Sequence, residues 1–182
     1  MIKFRKVREK LDLEMILKWR TSRQVTRYMI NDLVFDLEKQ KEWYKKVIEI
    51  HDPAQHWIIT YNDMSIGFLS LENLKVNQET SWGFYIAEQK FWIHGGLIPA
   101  YFYNYMFFKR DRLINKITGY AFEDNLNVMK LHRFYGCSEI RNLEKVIKKN
   151  GVPHKLIFIE MTRKKWNSQQ KKFGNYYSSF EA

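Results

Sequence analysis

His132 stands seven residues after Asn125 in the run Asn125-Leu126-Asn127-Val128-Met129-Lys130-Leu131-His132-Arg133-Phe134-Tyr135-Gly136-Cys137. On a helix that spacing puts the two residues on one face, two turns apart. A histidine with a pKa near neutral can donate a proton to a leaving group. The same residue there also suits a packed or solvent-facing imidazole. Asn125 is placed to cap the helix. Cys137, with only Arg133 and His132 as basic neighbours, reads as a small buried side chain rather than an activated thiol.

A second segment joins a strand, Trp82-Gly83-Phe84-Tyr85-Ile86, through Ala87 to His94, to Gly95-Gly96-Leu97 at the start of a helix. Free backbone N–H groups and the helix dipole favour an anion there, and glycines admit a phosphate close to the backbone. A plain strand-to-helix turn has the same spacing. No Gly-Lys-Ser/Thr follows, and G-x-G-x-x-G is absent. A third group is Trp19-Arg20, Arg27-Tyr28-Met29, Gln40 and Trp43. An arginine beside aromatic rings pairs with a phosphate while a ring stacks on a base. Core aromatics with a surface arginine would look alike. The five histidines show no i, i+4 pair and no acidic companion at ligand spacing, so no metal site is expected. No G-x-S-x-G marks a nucleophilic serine.

These residues need a scaffold. At 182 residues, with 45% apolar and 16% aromatic residues, the chain can bury a full core as one domain. Eight glycines and three prolines exclude collagen-like and low-complexity arrays. A single cysteine excludes an internal disulfide and fits a reducing, cytoplasmic setting. The net charge of +11 favours polyanionic partners: nucleic acid, anionic lipid or a phosphate-bearing substrate. The N-terminus is charged at once and has no apolar signal core. Trp92 to Phe108 carries no formal charge, but it is too short and too interrupted for a membrane span.

Alternation over Ile2 to Val7 predicts a strand, and Asp12 to Arg20 a helix. A short helical piece ends near Met29. Asp36 is placed to cap a helix over Leu37 to Ile50, which His51-Asp52-Pro53 stops. His56 to Tyr61 and Ser65 to Leu71 form a hairpin about Asn62-Asp63. Ser81 to Ile86 is a strand, and Gly96 to Phe108 a helix with Pro99 in its first turn. Lys116 to Phe122 is a strand and Asn125 to Tyr135 a helix. Strands over Ser138 to Val146 and His154 to Thr162 flank a turn at Asn150-Gly151. The order β, α, α, β, β, β, α, β, α, β, β is that of an α/β domain with a mixed sheet flanked by helices. It spans residues 1–162, followed by a basic, aromatic tail over 163–182.

These segments stand in the order of the GNAT acyl-CoA-dependent N-acetyltransferases, which the chain resembles over about residues 1–162. The landmarks are Ser65-Ile66-Gly67-Phe68-Leu69-Ser70-Leu71, Gly83-Phe84-Tyr85-Ile86, the Gly-Gly helix start and Asn125…His132…Gly136. Leu17-Lys18-Trp19-Arg20, Arg27-Tyr28-Met29, Trp82-Gly83-Phe84-Tyr85 and Leu131-His132 further resemble the branch that acetylates the 4-amino group of a UDP-linked amino-dideoxy sugar on the way to pseudaminic acid. The resemblance implies a GNAT fold and transfer from acetyl-CoA, without a metal, in a ternary complex. It implies a CoA arm along Phe84, Tyr85 and Ile86. The pyrophosphate would lie on the amides of His94, Gly95, Gly96 and Leu97, with Asn125, Asn127 and Lys130 also on the cofactor side. Trp92 takes the place of the family's basic residue opening the phosphate loop. His132 would be the acid for the departing thiolate and Glu72 the base. Trp19, Arg20, Tyr28, Met29, Gln40, Ser70 and Asn73 would shape the sugar-nucleotide pocket. Gln40 replaces a histidine common there, and Thr21 an asparagine. The implied partner is a small nucleotide-sugar substrate, with no nucleic acid and no membrane span, for a monomer or homodimer.

Two rival readings stand beside this one. An N-terminal or ribosomal-protein acetyltransferase would share the fold and offer an acidic peptide groove. A non-catalytic nucleic-acid-binding module would use the tail cations and rings Lys164, Lys165, Trp166, Lys171, Lys172 and Tyr176.

Overall fold

The computed structural model describes residues 1–49, 56–75, 79–110 and 114–181. The expected helix stop at His51-Asp52-Pro53 lies outside them. Two compact units emerge, the first made of Met1–Ser70, Phe84–Gly95 and Ser179–Ala182, the second of Leu71–Gly83 and Gly96–Ser178.

In the first unit, β1 (Ile2–Lys6) pairs antiparallel with β2 (His56–Tyr61), from Ile2↔Tyr61 to Lys6↔Trp57. β2 pairs antiparallel with β3 (Met64–Lys75) about the two-residue turn Asn62-Asp63. Both turn residues have positive φ, 47° and 65°, which these two side chains tolerate and which matches the twist of a hairpin. α1 (Glu9–Thr21) is moored at its start. The buried Asp12 carboxylate accepts both Arg5 guanidinium N–H groups at 2.7 Å and the Arg8 amide at 2.7 Å, so a buried charge is fully partnered. That mooring sets the far end of α1, where Ile16 and Trp19 join Val7, Val25, Ile48, Ile58, Phe68 and Ala87 in the core. A short α2 (Arg23–Thr26) follows. Asp36 caps α3 (Leu37–Trp43) by accepting the Lys39 amide, and the helix widens to π geometry over Tyr44–Glu49. Phe180 stacks on Phe4 at 4.0 Å, and the chain end adds a parallel bridge to β1.

β4 (Glu79–Ile86) begins in the second unit and ends in the first. Gly67 of β3 lies so close to it that a Cβ would sit 2.2 Å from the Tyr85 carbonyl oxygen and 3.1 Å from Ile86 Cα. Backbone offers no flexible end to move aside. Gly67→Ala should therefore cost about 3 kcal/mol of stability, at the upper end for overpacking. Urea denaturation would show this as a lowered midpoint, and an unchanged midpoint would refute the contact.

In the second unit, β4 runs parallel to β5 (Lys116–Phe122), from Glu79↔Lys116 to Ser81↔Thr118, where the pairing ends. β5 pairs antiparallel with β8 (Val152–Thr162) along its whole length. The strand expected over Ser138 to Val146 is instead two, β6 (Ser138–Glu139) and β7 (Lys145–Lys149), both on β8. From Glu139 to Lys145 the chain takes six steps against three on β8, and the excess folds into a 3-10 turn at Arg141–Leu143. The sheet order is β1-β2-β3-β4-β5-β8-β6, with β7 also on β8.

The helix expected over Gly96 to Phe108 begins at Ile98, and a short helix stands before it where a loop was expected. α4 (Trp92–Gly95) precedes α5 (Ile98–Asn104), which holds Pro99 in its first turn and widens to π geometry over Tyr105–Arg110. α6 spans Leu126–Phe134. Thr162 caps α7 (Arg163–Ser168), and α8 (Gln170–Phe173) follows. Trp166 is fully buried and donates to Asn104 Oδ1 at 2.9 Å, while Asn104 Nδ2 donates to the Phe173 and Tyr176 carbonyls at 2.8 Å. The tail through Tyr176 thus satisfies a buried amide of α5.

Candidate active site

Trp19 and Arg20 occupy the last turn of α1. Trp19 meets the Tyr85 ring edge-on at 6.4 Å, and Tyr85 stacks on Phe68 at 5.9 Å. The Tyr85 hydroxyl oxygen and Arg20 Nη1 are both buried, and neither makes a hydrogen bond. Burial pushes the Tyr85 phenol well above its ordinary pKa, and the Arg20 guanidinium pulls it partly back, so the hydroxyl keeps its proton as a donor. Each buried, unspent donor costs about 1–3 kcal/mol in the free protein, a cost that a ligand oxygen would remove.

Other expected acceptor residues of this unit lie nearby in the fold or on its core. Met29 and Trp43 pack against the same core as Trp19. Arg27 lies 4.7 Å over the Tyr28 ring, and Gln40 is buried on α3. Ser70 pairs with His56 across β2 and β3. Separately, Glu14, Lys18 and Glu88 line an open groove with Met15, Trp19 and Gln24, and Lys18 pairs with Glu14 at 2.7 Å.

The end of β4 is packed closely by the segment that follows it. A Cβ on Gly95 would meet Ile86 Cγ1 at 3.2 Å and Phe84 Cε2 at 3.9 Å. Trp92, 42% exposed, donates its indole N–H to the Ile86 carbonyl at 3.1 Å. It is therefore a tether on the strand end where a basic side chain was the family expectation. His94 stacks on Tyr61 at 3.9 Å.

In the second unit, Gly96 offers its carbonyl to the Tyr135 hydroxyl at 2.6 Å, and burial raises that phenol to about 12. Leu97 precedes α5 as its N-cap residue. Asn125 stands at the N-cap of α6, but its side chain makes no capping hydrogen bond, because its ψ of 67° departs from the extended geometry a cap uses. Asn127 and Lys130 lie on the exposed face of α6, Met129 and His132 on the buried one. Gly136, at φ +82°, ends the helix in the conformation glycine takes most cheaply.

His132 is only 6% exposed, and burial lowers its pKa to about 4. The near-neutral histidine expected from sequence is thus corrected: at neutral pH the imidazole is uncharged and offers one N–H and one lone pair. Its Nδ1 lies 3.9 Å from Cys137 Sγ, which lies 3.4 Å from the Tyr103 hydroxyl. Burial raises the Cys137 pKa, in keeping with a thiol rather than a nucleophilic thiolate. Glu72 is exposed on β3, and its carbonyl accepts the Thr80 and Ser81 hydroxyls at 3.1 and 2.9 Å. Asn73 follows it in β3, and its side chain lies outside the described ones. Sequence reasoning placed Tyr85 on the cofactor strand and missed its hydroxyl beside Arg20. It also missed the Tyr103–Cys137–His132 contact. The Arg20–Tyr85 and Tyr103–Cys137 approaches have no signal in spacing, because each joins elements far apart in the chain, whereas Cys137 stands only five residues after His132.

The Acetyltransferase (GNAT) domain profile matches residues 2–138. The chain belongs to the GNAT acetyltransferases. No curated protein matches it by sequence. A spermidine N-acetyltransferase from Vibrio cholerae, solved in complex with CoA and spermine, is similar in structure at 18% identity and a TM-score of 0.77, covering 91% of this chain and 98% of that one. A GNAT-family acetyltransferase from Bacillus anthracis is similar at 12% identity and a TM-score of 0.69, over 90% and 95%. At these identities the likeness is one of fold. This acetyltransferase is accordingly an acyl-CoA-dependent N-acyltransferase with acetyl-CoA as donor. The non-catalytic nucleic-acid reading falls with that assignment. Among the described residues no group of three or more His, Cys, Asp or Glu side chains is placed to hold a metal, and no helix is long and apolar enough to cross a membrane.

Proposed function

We propose that this GNAT enzyme acetylates the amino group of a nucleotide-linked amino-dideoxy sugar, a UDP-linked 4-amino sugar first, as in the pseudaminic acid branch. One observation carries the reading: Arg20 Nη1 and the Tyr85 hydroxyl are buried donors with no partner, and the Tyr85 ring meets Trp19 and Phe68. A guanidinium with an unspent N–H suits the oxygens of a diphosphate, and the rings suit a base or sugar face. The net charge of +11 attracts such an acceptor as well as the donor.

Acetyl-CoA supplies the thioester whose C–S bond breaks as the amine forms the C–N bond. The glycine at 95, packed on the Ile86 and Phe84 side chains, adds no side chain of its own beside the strand end, which fits this donor. We assign the backbone of Phe84–Ile86 to the donor's arm and the amides of His94–Leu97 to its pyrophosphate. Asn125, Asn127 and Lys130 are assigned to the same donor. His132 acts as a neutral hydrogen-bond donor to the sulfur as negative charge develops there. Glu72, exposed to water, takes the proton the amine loses. Met29, Tyr28, Gln40, Ser70 and Asn73 complete the acceptor side, in a catalytic domain of residues 1–162 with 163–182 as its basic extension.

A polyamine acceptor is the second reading. Glu88 in an open groove beside the Glu14–Lys18 pair favours it, as does the Vibrio cholerae enzyme solved with spermine. Thiol release from acetyl-CoA decides, with UDP- and dTDP-linked 4-amino-4,6-dideoxy sugars, a 3-amino analogue, spermidine and an N-terminal peptide as acceptors. Turnover with a sugar nucleotide is expected. Turnover with spermidine alone, or with peptide alone, would replace the proposal.

A further inference from the structure

Four side chains of the second unit form a directional line that the transfer chemistry does not by itself explain. The Trp82 indole packs against Tyr103 at 5.4 Å and 64°. The Tyr103 hydroxyl lies 3.4 Å from Cys137 Sγ, and Sγ lies 3.9 Å from His132 Nδ1. Trp82 also meets the His132 ring edge-on at 6.4 Å.

Tyr103 is buried, and its O–H needs an acceptor; Cys137 Sγ is the one at hand. If the thiol donated back to Tyr103, the phenolic proton would be left buried and unpaired. The S–H is then free to donate to the lone pair of His132 Nδ1, 3.9 Å away. A neutral imidazole carries one proton, so an accepting Nδ1 leaves that proton on Nε2.

We infer that Cys137, oriented by Tyr103, is a positioning residue that holds His132 in its Nε2–H tautomer. The inference rests on His132 being the group that donates to the departing thiolate. It gives the single cysteine a role without oxidation or nucleophilic attack. A histidine locked in the other tautomer would present a lone pair to the developing thiolate and repel it.

The test is a long-range 1H–15N imidazole spectrum of the full-length protein, with His132 assigned through His132→Gln, beside steady-state kinetics of Cys137→Ala, Cys137→Ser and Tyr103→Phe. The wild type should show one Nε2–H tautomer. Cys137→Ala should show a mixture and lose about tenfold in kcat, with both KM values within about twofold, because only part of a proton-donor effect is removed. Cys137→Ser keeps a donor and should restore the single tautomer and most of kcat. Tyr103→Phe should broaden the tautomer population even if Cys137→Ala folds poorly. An Nδ1–H wild type, or an unchanged tautomer in Cys137→Ala and Tyr103→Phe, overturns the inference. If the tautomer shifts as expected while His132→Gln keeps full kcat, the relay stands and the donor role of His132 falls.

Discussion

His132→Ala should lower kcat by about a hundredfold or more, the usual scale for losing a positioned proton donor, while KM for acetyl-CoA stays within about threefold. The split follows from position. His132 is on the buried face of α6, whereas Asn127 and Lys130, assigned to the donor, are on the exposed face. A wild-type kcat in that variant would remove His132 from the reaction. The same residue makes a pH prediction. With its folded pKa at about 4 against 6.5 unperturbed, the unfolded chain binds the extra proton first. Stability is therefore undiminished by this group above about pH 6.5 and falls as pH drops toward 4, by about 3 kcal/mol in all. Below that both states are protonated and the loss ends. Urea midpoints at pH 7 and 4.5 should converge in His132→Gln relative to wild type. The rate should show no acid limb near pH 6.5 arising from this imidazole.

Arg20→Ala should raise the acceptor KM by about a hundredfold, corresponding to the upper range for a hydrogen bond to a charged group, with the KM for acetyl-CoA unchanged. Tyr85→Phe should raise it about tenfold, since a neutral donor contributes less. The stability effects should run the other way. Removing the buried, unpaired Tyr85 hydroxyl relieves a desolvation cost, so Tyr85→Phe should leave the Tm unchanged or higher. A merely structural hydroxyl would give the opposite pattern: lower Tm and unchanged KM. Arg20→Glu extends the argument, because it replaces the cation that disfavours a polycation with an anion that attracts one. Spermidine turnover rising in that variant would show that Arg20 chooses the acceptor class, and unchanged preference would show that it does not.

Periodicity and punctuation were enough to read most elements. Apolar alternation marked β1, Asn62-Asp63 marked the hairpin of β2 and β3, Asn150-Gly151 marked a second turn, and Asp36 marked the start of α3. These are local signals, each decided by side chains within a few residues. The breaks were not local. The split of the expected strand into β6 and β7 depends on the register that β8 imposes, and β8 comes later in the chain. The short helix before α5, where a loop was expected, sets Gly95 against the Phe84 and Ile86 side chains of a separate strand.

The amino-acid sequence by itself determined the fold class, the order of the elements and the family, because those follow from local pattern and from motifs in register. Only tertiary structure decided the state of the chemical groups. Burial moved His132 from a titrating acid to a neutral donor. The meeting of α1 with β4 left Arg20 and Tyr85 with unspent donors, and the meeting of α5 with the end of α6 joined Tyr103 to Cys137 and His132. A side chain's protonation and hydrogen-bond needs are set by what surrounds it in space, and linear spacing carries no record of that surrounding.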